Sequence, residues 1–212
     1  MRFSIAALVV TAVAFALPAQ SAEPPITNPQ KIIDNATPET FAEIVRELGG
    51  QNVEIKREGD YTGIVFMDGN VPYNIGFTFC KVVPGKCLIA SILVLVDNGK
   101  GGYPLETLNK QNKDFGFLTL YRDDPTKFGA GRLILVDGGV TKKNVAMEIA
   151  LFVQSFRTTM KDLESQLIAS APGPFQRASY GPTRFRPLVV SPRYLSEATE
   201  KMAKHYKTDL RR

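Results

Sequence analysis

The sequence predicts an α+β fold: an antiparallel β-sheet of about six strands, packed by a short N-terminal helix and a long C-terminal helix. Three observations carry this. In residues 71–80, Tyr73, Ile75, Phe77 and Phe79 alternate with Asn74, Gly76, Thr78 and Cys80, the period-2 signature of a half-buried strand. Residues 88–96 are apolar on both strand faces, so this strand belongs in the middle of a sheet covered on both sides. Finally, Val145, Ile149, Phe152, Val153, Phe156, Met160, Leu163 and Leu167 recur at spacings of three and four, the stripe of a long amphipathic helix. Burying eight such side chains at roughly 1.5 to 3 kcal/mol each makes this helix the expected cover of one sheet face.

The chain divides by composition into four parts. Residues 1–22 have the features of a secretory signal: Arg2, an apolar run over residues 5–17, and small residues Ala19, Ser21 and Ala22 for cleavage after Ser21 or Ala22. The run is shorter than the roughly 20 residues a membrane span needs; an uncleaved anchor is the alternative reading. No cysteine lies near the cleavage site, which argues against a lipoprotein. Residues 23–30 are a Pro-rich extended lead-in. Residues 31–169 form the α+β domain, and residues 170–212 a Pro-rich linker and basic tail. The expected destination is the periplasm. There the only two cysteines, Cys80 and Cys87, should pair as a structural disulfide across the turn at Pro84-Gly85. Their spacing is not that of a redox C-x-x-C motif, and a single histidine leaves little for a zinc site.

Within the domain, Thr37 is the expected cap of the first helix, with Pro38 at its first position. Phe41, Ile44, Val45 and Leu48 share one face, and Gly49-Gly50 stops the helix. Residues 52–57 and 61–67 read as strands around Glu58-Gly59-Asp60, and Asp68-Gly69-Asn70 turns the chain into the central hairpin. Four successive strands make a meander. Residues 105–114 read as a short helix containing Leu108, followed by strands at 115–121 and 132–136 joined by a polar loop, DDPTKFGAG. Thr141 is the expected cap of the long helix.

From Ser170 onward there are six Arg and three Lys against two Glu and one Asp, a net +6. The whole chain is +5, so residues 1–169 carry −1 and all excess basicity lies in the tail. Ser191-Pro192 could start a weak basic helix over residues 194–210, presenting Leu195, Ala198, Met202 and Tyr206.

Several of these features occur together in a telling order: Thr37-Pro38-Glu39 opening a short helix, Gly49-Gly50, the strand ending in Cys80 and answered by Cys87, Leu108-Asn109-Lys110-Gln111-Asn112, and Gly138-Gly139-Val140-Thr141 opening the last helix. In that order and spacing they resemble the YbjN-like family over residues 31–167. Members are described as bacterial sensory transduction regulators, and their fold is similar to type III secretion chaperones. The resemblance implies a protein-binding or regulatory module, a homodimer, and no established enzymatic activity. Phe115 and Phe117 stand where the family pattern has a Trp, and this chain has none. The export signal and basic tail set it apart from cytoplasmic members.

No catalytic, metal or cofactor set is expected. His205, the sole histidine, lies in the charged tail, far from any nucleophile of the domain. Asp123-Asp124 reads as a solvated turn before Pro125, and Asn98-Gly99-Lys100-Gly101-Gly102 lacks the Walker spacing and its Ser/Thr. Asp97-Asn98-Gly99 has too few spaced oxygens for calcium. Asn109 and Asn112, on one short helix, are candidate partner-binding amides; the alternative is satisfaction of local backbone groups. Arg177, Arg184, Arg186 and Arg193, interleaved with aromatic residues, are candidates for contact with an acidic protein or an anionic envelope surface. Nucleic acid is not an expected partner after export. The primary expectation is an exported, non-enzymatic protein-binding or regulatory module with an unknown protein partner; the alternative is an anionic-lipid-binding protein acting through its tail.

Overall fold

The computed structural model describes residues 26–80, 84–97, 103–114, 116–123, 126–170, 186–188, 191, 193–195 and 197. In chain order the elements are β1 (Ile32–Ile33), α1 (Pro38–Glu47), β2 (Gln51–Glu58), β3 (Tyr61–Asp68), β4 (Val71–Thr78), β5 (Ile89–Asp97), α2 (Leu105–Asp114), β6 (Thr119–Arg122), β7 (Lys127–Leu135), β8 (Val140–Thr141), α3 (Lys142–Ser170) and β9 (Arg186–Leu188). The main sheet has the order β2-β3-β4-β5-β7-β6, antiparallel throughout. This is the expected α+β architecture. β5 sits in its centre.

The alternation read from the sequence sorts the two faces. Ile64 and Phe66 of β3, Tyr73, Ile75 and Phe77 of β4, and Ala90, Ile92, Val94 and Val96 of β5 join one core. Covering it are Phe41, Ile44 and Val45 of α1 and Val145, Ile149, Phe152, Phe156 and Leu163 of α3. Tyr73 is a hub, stacked on Phe66 at 5.3 Å and edge-on to Phe152 and Phe156 at 6.3 and 5.9 Å. Burial drives its hydroxyl pKa well above the ordinary range, with Asp68 pushing the same way.

Both helices start where the sequence signals place them. Thr37 accepts from Thr40 N at 3.2 Å with Pro38 next in line. Gly50 N–H returns to Val45 O and Gly49 N–H to Arg46 O, with Gly49 at φ +84°, a Schellman ending that needs the missing Cβ. Thr141 accepts from Asn144 N at 3.2 Å. Between the two helices, the buried Lys142 Nζ reaches Glu43 at 2.6 Å and Glu47 at 2.9 Å.

Cys80 and Cys87 are bonded, S–S 2.04 Å, across the β4–β5 connection. The backbone after this bridge is pinned to the entry of α1: Ala36 N donates to Cys87 O, and Cys87 N donates to Asn35 Oδ1, each at 2.8 Å. An ion pair between Lys86 and Asp34 closes the same contact and lowers the Asp34 pKa.

Three features depart from the sequence reading. The polar loop expected before residue 132 is shorter, because Lys127, Phe128, Gly129, Ala130 and Gly131 already belong to β7. Gly129 looks loop-like, but it makes room for a neighbour: an added Cβ there would stand 2.3 Å from the Tyr121 ring. β6 starts at Thr119, later than predicted, since Gly116 and Phe117 form a turn. Residues 32–33 and 140–141 pair as a small second sheet with no signal in the sequence, tying the lead-in to the start of α3.

Candidate functional site

The opposite face of the sheet is paved differently. Registers align Gly63 with Gly76, Gly76 with Ser91, Asn74 with Leu93, Leu93 with Gly131, and Leu95 with Gly129 and then Tyr121. Gly76, Asn74 and Ser91 are buried, as are Leu93 and Leu95. Leu93 and Leu95 form a separate apolar cluster with Leu195, flanked by Tyr121 and Tyr194. Toward the first residues of β5 the face opens, with Leu135 exposed.

The chain that covers this floor comes from the tail. β9 pairs antiparallel with β5, placing Leu188 opposite Leu95, Pro187 opposite Val96 and Arg186 opposite Asp97. Ser191 Oγ then accepts from Tyr194 N at 3.2 Å and Ser191 O from Leu195 N at 3.1 Å, capping the helical turn at residues 193–195. Leu195, only 1 % exposed, rests on Gly76: a Cβ added there would stand 2.7 Å from Leu195 Cβ and 3.4 Å from Ser91 Oγ. Tyr194 Oη donates to Asp123 Oδ1 at 2.5 Å. Burial, with Tyr194 and Asp123 adding to it, raises the Tyr121 pKa far above its ordinary value.

Two prolines explain why β5 has an edge to offer. Pro187 has no N–H, so the ladder to β5 falls to Arg186 and Leu188, which face Asp97 and Leu95. By alternation, the odd-numbered residues of β5 turn their backbone groups to that side, which is also the side of β4. The β4–β5 ladder ends at Asn74 and Leu93, and two residues further the same register brings Pro72 to Leu95. Pro72 has no N–H to give, while β3 still pairs with it through Met67. The backbone acceptors and donors of Leu95 and Asp97 thus form a slot that β4 does not fill and β9 occupies. Leu188 N–H replaces what Pro72 lacks.

The hold is modest. Ladder hydrogen bonds contribute about 1 kcal/mol each net and the buried leucine about 1.5 to 3 kcal/mol.

The residues singled out from sequence are scattered over this picture. Asn112 spends its amide on β6: Nδ2 donates to Leu120 O at 2.9 Å and Leu120 N donates to Oδ1 at 2.7 Å. That is the backbone-satisfying role, and it fastens α2 to the sheet. Asn109 is exposed on the same helix. Arg193 is exposed and pairs with Glu197 at 3.1 Å, and Arg186 enters β9 by its backbone. Arg177, Arg184 and His205 lie outside the described residues, as do residues 98–102 and Asp124. Asp123 serves as the acceptor for Tyr194. Among the described residues no cluster of three His, Cys, Asp or Glu is placed to hold a metal ion, and no helix is long and apolar enough to cross a membrane. Nothing in the sequence alone marks Leu195, Gly76 or Pro72 as a binding residue. The available signals were a proline inside an otherwise central strand pattern and the weak helical stripe that begins at Leu195.

No family model, curated protein or solved structure matches the chain.

Proposed function

We propose that the chain is an exported, non-enzymatic polypeptide-binding or regulatory module of the bacterial envelope that captures an extended segment along β5 where its ladder to β4 has ended. The observation that carries this reading is the β9–β5 ladder beside Pro72. It is strand addition, the common mode in which main-chain bonds supply affinity and side-chain notches supply selectivity. The Cys80–Cys87 bond and the signal-like residues 1–22 support export to the periplasm. The resemblance of the motif order to the YbjN-like regulators, and through them to the secretion-chaperone fold, supports binding over catalysis.

A photo-crosslinking amino acid at Thr119, exposed on the slot face, tests it in the native compartment. Adducts to a second polypeptide from Thr119, absent from a control probe at the exposed Glu106 of α2, are expected. Intrachain adducts alone, or equal yields from both sites, would count against it.

The charge distribution favours a second reading, an anionic envelope surface bound through residues 177–212, which carry all of the tail's +6. Deleting that segment should then abolish sedimentation with anionic vesicles, and salt should weaken it. Binding indifferent to both would remove the idea.

A further inference from the structure

We infer that residues 186–188 and 193–195 are an intramolecular occupant of the β5 slot, holding it against a partner polypeptide of matching chemistry. The inference rests on the polypeptide-binding reading and adds to it both a regulator and a description of the partner.

The occupant defines the partner's features. It needs backbone N–H groups two residues apart, opposite Leu95 and Asp97, as Arg186 and Leu188 supply. A proline between them is compatible because its position makes no bond to β5. Seven residues after the position of Leu188 comes a leucine that fits only because Gly76 has no side chain. The residue before it carries a hydroxyl that reaches Asp123. The partner is therefore an extended segment leading into a helical turn with an aromatic–leucine pair.

Two facts make the tail an occupant suited to exchange. Its described contacts include one strand edge, one small apolar cluster and Asp123, and that cluster is separate from the core that holds the domain together. Because this segment is covalently joined to the domain, its effective concentration at the slot exceeds that of a free segment in dilute solution. At micromolar concentrations, a free segment of equal intrinsic affinity competes poorly against such a tether. One with a better match, or a change that loosens the tail, opens the slot. The same tether argument favours occupation by the chain's own tail over exchange between two copies.

The test uses the full chain and a fluorescent peptide of residues 184–198. Leu195→Asp in the protein should release the tail and leave the slot intact, so that the peptide binds at least tenfold more tightly than to wild type. Adding Gly76→Ala to that variant fills the notch and should cancel the gain. A peptide carrying Leu195→Asp should not bind. Far-ultraviolet circular dichroism and urea midpoints confirm that each variant is folded, so loss of fold cannot imitate either result. Equal affinity for wild type and Leu195→Asp, or binding to neither, overturns the inference. Wild type that is a dimer in light scattering and is split to monomers by the peptide also overturns it, assigning the occupant to a second copy. If the peptide behaves as expected but Thr119 yields no intermolecular adduct, the tail is an occupant without a client and the functional reading falls alone. If adducts form but peptide affinity ignores the tail, the reading stands and the self-occupation falls.

Discussion

Leu195 fits over Gly76 as a knob over a notch, with the position of a Gly76 Cβ only 2.7 Å from Leu195 Cβ. The contact joins residues 119 positions apart in sequence, and it sits on the face that the long helix does not cover. We predict that Leu195→Asp frees β9 while the main core remains closed. Amide exchange at Leu95 and Asp97, which face β9, should quicken at least about tenfold, as local opening allows. Val94 and Val96, which face β7, should keep their protection. Uniform acceleration along β5 would show that the tail is integral to the sheet.

Pro72 should act at the same place from the other side. Replacing it by valine restores an N–H opposite Leu95 and lets β4 continue its ladder in register. The expected result is release of β9 with stability unchanged or raised by about 1 kcal/mol. Backbone chemical shifts would report it. Retention of the Leu188 N–H in its hydrogen bond, with the valine in place, would refute the account of the slot.

Asn112 is a clasp between α2 and β6. Asn112→Ala leaves both Leu120 backbone groups without that partner, at a cost of about 1 to 3 kcal/mol. Asn112→Asp should cost at least as much, because its carboxylate can accept from Leu120 N but opposes Leu120 O. Urea denaturation of the two variants orders them. An aspartate more stable than the alanine would contradict the bonding geometry.

Lys142 bridges α3 to Glu43 and Glu47 of α1. Burial pulls its pKa down, but the bonds to both glutamates outweigh this and hold it above 10.5. The bond to Lys142 holds Glu43 below 4.5, against a smaller burial effect. The lysine's contribution is fully present below 10.5 and is lost as pH rises past its raised value. Glu43's contribution is present above 4.5 and is lost as pH falls through its lowered value. Lys142→Met should therefore destabilise by about 2 to 3 kcal/mol, the low side for a buried pair because Glu43 is half exposed. That difference should hold steady between about pH 5 and pH 10 and shrink outside this window. Measuring the unfolding midpoint of both proteins across pH checks the sign. A difference that grows in acid would be fatal to it.

Removing the Cys80–Cys87 bond by the double serine substitution should cost about 2.5 kcal/mol on the chain-entropy estimate for so short a loop. The bonds from Ala36 N to Cys87 O and from Cys87 N to Asn35 Oδ1 do not involve sulfur, so the hairpin should stay docked at α1. Combining the change with Asn35→Ala should then cost more than the sum of the two. Strict additivity in thermal unfolding would show that bridge and dock act independently.

Patterns that repeat along the chain were readable directly. The alternation in β4, the doubly apolar β5, the caps at Thr37 and Thr141 and the stripe of α3 are local signatures. Each of them set an element and the face it buries. Even the need to cover both faces of β5 was legible, because no strand so apolar can leave one side wet. The identity of the second cover was not. A three-residue strand in a Pro-rich, charged stretch carries no period, the weak stripe that begins at Leu195 does not name what it lies against, and only their partners give them a role. Likewise Asn112 offered the same amide for either use until the approach of Leu120 chose one. The sequence by itself determined which residues must leave water and where helices begin. Tertiary structure alone decided what lies against the small residues at 76 and 129, and which strand edge a proline leaves open. Those depend on contacts between segments that the chain brings together only on folding.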